Sequence, residues 1–183
     1  MKKGAGGFTI VELLIVIVVI GILAAITIIA FGNIQARARD NARYADAKAI
    51  VKALELYKAS NDGQYPTTFG TTNPIATCPA VGNGYSYSWD TEGKWLQGLK
   101  DSGIMPKPPV PTPNDCTRYY QYYRGSANTW GCTTLTKGWY LLRVYGAEGV
   151  VTPQESATFR PCPEATVTAT ASSGTWVFSG YEN

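Results

Sequence analysis

Three sets of side chains in this 183-residue sequence are of types and spacings that can do chemistry. Glu12 is an acid inside an otherwise apolar run. Arg118-Tyr119-Tyr120-Gln121-Tyr122-Tyr123-Arg124 interleaves aromatic rings between two cations. Cys78, Cys116, Cys132 and Cys162 make an even set of thiols. The chain has no histidine, which removes imidazole acid–base catalysis, Ser-His and Cys-His nucleophile pairs, and His-ligated zinc. No two cysteines form a C-x-x-C pair, so metal-knuckle spacing is absent. Asp90, Asp101, Asp115, Glu148, Glu155 and Glu164 are scattered and make no calcium-loop pattern. The glycines of the opening MKKGAGG lack the strand and helix that a phosphate loop needs. The residues therefore predict no enzyme, no metal and no cofactor.

Glu12 takes its meaning from its surroundings. From Phe8 to Phe31 the only other polar residues are Thr9 and Thr27. At 1.5 Å per residue this run makes a helix roughly 36 Å long, enough to cross a hydrocarbon core of about 30 Å. Lys2 and Lys3 precede it, which predicts a cytoplasmic N-terminus with the rest of the chain outside. Three fates fit such a segment: a signal peptide cut after the run near Ala24-Ala25 or Ala30-Phe31-Gly32, a plain membrane anchor, or a short leader cut before a run that stays. A carboxylate in hydrocarbon costs roughly 2.5–3.5 kcal/mol, so Glu12 weighs against the first and calls for a partner.

Gly6-Gly7-Phe8-Thr9-Ile10-Val11-Glu12-Leu13-Leu14, continued by Gly21-Ile22-Leu23-Ala24-Ala25-Ile26, resembles the start of type IV prepilins and type II secretion pseudopilins. The resemblance implies that a membrane peptidase removes residues 1–7 by cutting after Gly7. It implies that the new N-terminus, Phe8, is N-methylated, and that Glu12 meets the Phe8 amine of a neighbouring subunit, or its own before assembly. A buried ionic pair of this kind sets axial register between otherwise interchangeable greasy helices, as a buried polar residue does in coiled coils. Where many members have a helix-kinking proline near the end of the run, this sequence has Ile29, and Gly32 is the nearest flexible residue.

Helical spacing continues beyond the apolar run. Ala38, Ala42, Ala45, Ala49, Ala53 and Leu56 form a stripe that Ile50, Leu54 and Tyr57 widen, and this face is expected to bury against the rest of the protein. Arg37, Arg39, Arg43, Lys48, Lys52 and Lys58, with Asp40, Asp46 and Glu55, are expected on a solvated face, with i,i+3 pairs Asp40–Arg43 and Lys52–Glu55. Arg37 and Arg39 also stand where lipid headgroups or a neighbouring subunit would be met. Asn61-Asp62-Gly63 with Pro66 should end the helix. Gln64-Tyr65-Pro66-Thr67 after that stop again resembles pilins and pseudopilins.

Residues 63–183 hold ten of the twelve tyrosines, all five tryptophans and all four cysteines. Alternation predicts strands at Tyr85–Trp89, Arg118–Arg124, Trp139–Tyr145 and Thr175–Tyr181, with a short helix in Glu92–Ser102. The proline-dense 105–113 segment reads as an extended crossover. The organisation expected is α+β: a leader over 1–7, a membrane or filament-core helix over 8–31, its amphipathic continuation over 32–62, and a head over 63–183 in which an antiparallel sheet packs on the helix. Outside the cell two disulfides are the default. Three pairings are open, of which Cys116–Cys132 with Cys78–Cys162 is the favoured one. Arg118, Tyr119, Tyr120, Tyr122, Tyr123 and Arg124 make either a stacking platform for glycans or single-stranded DNA, or a strand whose tyrosines fill both faces.

The resemblance implies a structural subunit, a pilin held in the inner membrane and then packed into an extracellular homo-oligomeric filament by a peptidase and assembly machinery. A secretion pseudopilin, or a minor tip pilin whose head binds DNA or a surface ligand, are its alternatives. Taking Lys2 and Lys3 from the 16 basic residues leaves 14 against 13 acids, which suits close packing of copies and argues against general attraction to DNA.

Overall fold

The computed structural model describes residues 7–69, 84–126, 128–149, 151, 158–165, 169 and 174–182. One helix dominates it. Helix α1, Ile10–Ser60, runs unbroken for 51 residues, past both Ile29 and Gly32, and is about 77 Å long. Its end follows from the sequence. Asp62 and Gly63 both take left-handed backbone (φ 50° and 77°), and the Gly63 N–H closes on the Lys58 carbonyl at 3.0 Å, a Schellman-type stop.

Among the described residues the head carries four strands: β1 (Ser86–Tyr87), β2 (Tyr120–Gly125), β3 (Trp139–Tyr145) and β4 (Thr175–Tyr181). They form one antiparallel sheet in the order β1-β2-β3-β4. Register places Leu142 between Tyr122 and Phe178, so these three share one face. A short helix, α2 (Gln97–Asp101), lies between β1 and β2 and buries Leu99 beside Trp95 and Leu96. The α+β class, the four strands and the short helix match the expectation, with β1 trimmed to two residues.

The sheet has two covered faces. Its inner face packs Tyr120, Tyr122, Tyr140, Leu142, Val144, Trp176 and Phe178 against Ala47, Ile50, Ala53 and Leu54 of α1. Burying a side chain such as Ile50 or Leu54 contributes roughly 1.5–3 kcal/mol. Its outer face packs Trp139, Leu141 and Val177 under Phe159 and Ala169, with Trp130 and Leu135 alongside. A disulfide between Cys132 and Cys162 clips these two outer loops together. The favoured pairing Cys116–Cys132 is thus corrected: Cys132 bonds Cys162, because both loops fold over the same outer face. Cys116 is also disulfide-bonded. Cys78 lies outside the described residues.

The helix face is corrected too. Ile50, Ala53 and Leu54 are buried as expected, but Ala38, Ala42, Ala45, Ala49 and Leu56 are exposed, and the head also covers Asp40, Arg43 and Ala47. The larger side chains gain more from burial than alanine does, and two charged residues share their stripe. Glu55 pairs with Lys58 at 2.8 Å in place of Lys52.

Candidate functional site

Every residue whose exposure is described between Gly7 and Gln35 is exposed, on all sides of the helix. This bare segment has a mean hydropathy of 3.3 over eighteen residues, long and apolar enough to cross a membrane. Phe8 is 85% exposed. Thr9 is the N-cap, in extended backbone. Its Oγ1 accepts from the Glu12 N–H at 3.3 Å. Glu12 Oε2 in return accepts from the Thr9 N–H at 2.8 Å and from the Thr9 hydroxyl at 2.7 Å. This is a capping box, which satisfies two orphan donors of the helix start reciprocally. Glu12 Oε1 accepts no hydrogen bond among the described residues, so the carboxylate is held one turn from Phe8 with an acceptor in hand. Thr9 was missed as a site residue, although Thr-x-x-Glu ahead of an apolar run is a readable signal for it. Farther along, the Thr27 hydroxyl donates to the Leu23 and Ala24 carbonyls, so it leaves no unpaired donor in the apolar stretch.

A second polar cluster lies where the helix enters the head. Asp40 is fully buried and Arg43 is 2% exposed, joined at 3.0 Å. Asp40 also accepts the backbone N–H groups of Glu148 at 2.9 Å and Val151 at 3.3 Å. Glu148 takes a two-pronged bond from Arg39, at 2.6 and 2.7 Å, and one from Arg43 at 3.3 Å. The Arg39 guanidinium, with Arg43 behind it, holds the Glu148 carboxyl far down, at about 2. Arg43 Nε and Nη2 are buried with no hydrogen-bond partner among the described residues, so this cation depends on its two acids. Four residues expected on a solvated face or among scattered acids thus form the latch between helix and head.

The rings of the Tyr-rich strand are packed within the head. Tyr120 and Tyr122 face α1 and are buried; Tyr120 donates to Asp46 at 2.8 Å and Tyr122 to the Pro66 carbonyl at 2.8 Å. Burial raises both phenols, and it raises Asp46 against the opposing pull of that hydrogen bond. On the outer face Tyr119 stacks on Tyr145 with centroids 4.4 Å apart, and Tyr123 stacks on Trp130 at 5.6 Å. Arg124 is tied to Glu182 at 2.7 Å, and Arg118 to Asp115 at 3.1 Å. The rings fill both faces of the strand because the sheet is covered on both.

A bare apolar helix with a capped acidic start, carrying a small antiparallel sheet on its far half, is the α+β arrangement of a pilin-type subunit. Residues 2–28 match the family model for the prokaryotic N-terminal methylation motif. The chain is 32% identical over 92 residues to the type II secretion system core protein G of Pseudomonas aeruginosa, covering 50% of this chain and 63% of that protein. It is 33% identical over 116 residues to the type IV major pilin protein PilA of Myxococcus xanthus, covering 62% of this chain and 50% of that one. It is 29% identical over 170 residues to the type IV major fimbrial protein FimA of Dichelobacter nodosus, covering 88% and 93%. The first two matches thus span about half to just under two-thirds of their relatives. No solved structure matches the chain at a significant level. The chain thus carries the prokaryotic N-terminal methylation motif and is similar both to type IV major pilin and fimbrial proteins and to type II secretion core protein G.

Proposed function

We propose that this chain is the structural subunit of a type IV pilus-like extracellular filament. The observation that carries the reading is a methylation motif opening a helix whose first 25 or so residues are bare on every side. So much apolar surface is stable only in a membrane or among copies of itself. In this reading residues 1–7 are a leader, a prepilin peptidase cuts after Gly7, and Phe8 is methylated. Residues 8–31 hold the subunit in the cytoplasmic membrane, N-terminus inside, until assembly buries them in the filament core. Residues 32–62 continue the rod and 63–183 form the outer wall. Glu12, fixed by its capping box beside Phe8, pairs with the Phe8 amine of a neighbour and sets the register.

The extent of the relatives supports a pilus subunit over a secretion pseudopilin. The FimA match runs through 88% of the chain, head included, whereas the core protein G match covers 50%. The intact, unreduced mass of the protein in material sheared from the cell surface tests the reading. A mass beginning at Phe8 with one added methyl group supports it. A mass beginning near Gly32 would mean an ordinary secreted protein.

A further inference from the structure

At the base of the head, beside the Arg39–Glu148 pair of the latch, lies a groove of about 470 Å³. Its walls are Arg39 of α1, Pro113, Thr117 and Arg118 from the segment before β2, and Gly146 and Glu148 after β3. Arg39 and Arg118 come from different elements, and each side chain is 43% exposed. Each is paired with an acid, yet each keeps donors. Arg39 gives Nε and Nη2 to Glu148, leaving Nη1. Arg118 gives Nη1 to Asp115. Gly146 makes room for this arrangement: a Cβ there would fall 2.6 Å from Arg118 Cγ, and its φ is +78°.

The height of the groove says what it meets. With the Glu12 carboxylate at the inner interface, about 20 residues of helix span the hydrocarbon and place its outer edge near Asn33. Arg37 and Arg39 then stand roughly 6 and 9 Å beyond that edge, against a headgroup layer roughly 5–8 Å thick, within reach of long guanidinium side chains. Arg37 is exposed at a similar height on another side of the helix. Arg39, Arg43 and Arg118 face Glu148, Asp40 and Asp115, three cations against three acids, so the groove carries no net negative charge to repel an anion.

We propose that this groove holds the phosphate of an anionic lipid headgroup while the subunit waits in the membrane, with Arg39 and Arg118 as its donors. Docked in this way, the head stands upright on the bilayer surface instead of swinging about the bare helix. The proposal rests on the membrane-held stage of the reading above.

Full-length chain in nanodiscs, followed by amide hydrogen exchange, tests it. In phosphatidylglycerol discs the segments around 112–118 and 144–149 should exchange about 25-fold more slowly than in phosphatidylcholine discs, since each of the two arginines near an anionic surface shifts binding by about fivefold. Arg118→Gln should cut the difference to about fivefold and Arg118→Lys should restore part of it. Equal protection in both lipids would mean mere shielding by the bilayer and would overturn the proposal. The same protection from inorganic phosphate added to phosphatidylcholine discs would make this a site for a free anion and overturn the lipid assignment. Protection of 10–31 from exchange reports membrane insertion separately, so a failure of anchoring is told apart from a failure of the groove.

Discussion

Glu12 and Asp40 are two acids on one helix, and they live in opposite worlds. Glu12 stands on the bare half, satisfied only by the capping box it makes with Thr9. Asp40 stands on the docked half, fully buried, with an arginine and two backbone amides around it. The bare half has no partner among the described residues of its own chain, so its acid is left to act between chains. The docked half has spent its polar groups inside the subunit, so its acid acts on the fold. The same side-chain chemistry thus divides into assembly and stability according to what covers it.

Replacing each acid should separate these roles. Glu12→Ala should abolish incorporation into surface filaments while leaving export and the urea midpoint of the head unchanged. Normal filament yield from that variant, measured in the sheared fraction, would break the contrast. Asp40→Ala should do the reverse and cost about 3–5 kcal/mol, because Arg43 would keep a buried charge without its main partner. Tryptophan fluorescence during urea unfolding of the full chain in detergent would measure this, and a loss below about 1 kcal/mol, the range of an exposed ion pair, would demote the latch.

Two smaller effects sharpen the picture within the docked half. Cys132→Ser with Cys162→Ser should cost about 2–4 kcal/mol, through a loop cross-link that lies on the outer face and spares the helix latch. Acid should loosen the latch itself. The folded-state pKa of Glu148 lies at about 2, below its ordinary value of 4.5, so its contribution is full above about pH 5 and is lost as pH falls toward 2. Asp46 is raised by burial and works in the opposite sense, since its protonated form suits the fold. The urea midpoint should therefore drop between pH 5 and 2, and Glu148→Gln should flatten that drop. An unchanged slope in the variant would place the acid sensitivity elsewhere.

Much of this was legible in the sequence because it depends on local pattern. The ranges predicted for β3 and β4 are those observed, since alternating aromatic and β-branched residues flanked by glycines specify a strand without outside help. The helix stop at Asn61-Asp62-Gly63 was equally local. What escaped was long-range. Ile50, Ala53 and Leu54 were read on the covered face, but only the shape of the sheet decides that the cover extends toward Asp40, Arg43 and Ala47 and not over Ala38, Ala42, Ala45 and Ala49. Asp40 and Arg43 read as surface charges because their other partner, Glu148, is more than a hundred residues away. The tyrosines of β2 read either as a display or as filling for both faces, because the loops over the outer face, Trp130 and Phe159 among them, carry no pattern that announces a lid. The cysteine pairing failed for the same reason.

The strands lie in the sheet in the order in which they occur in the chain. Each strand therefore finds its neighbour already made as the polypeptide is delivered from its N-terminus, and no strand must wait for a later one to be inserted beside it. The final step is a closure. Lys58, in the last turn of the helix, donates to the Tyr181 carbonyl, and Glu182 accepts the Tyr65 N–H at 2.9 Å. Residues 181 and 182 thereby fasten onto the end of the helix and the first turn of the head, so the head reaches its finished shape only once β4 and the residue after it have been made.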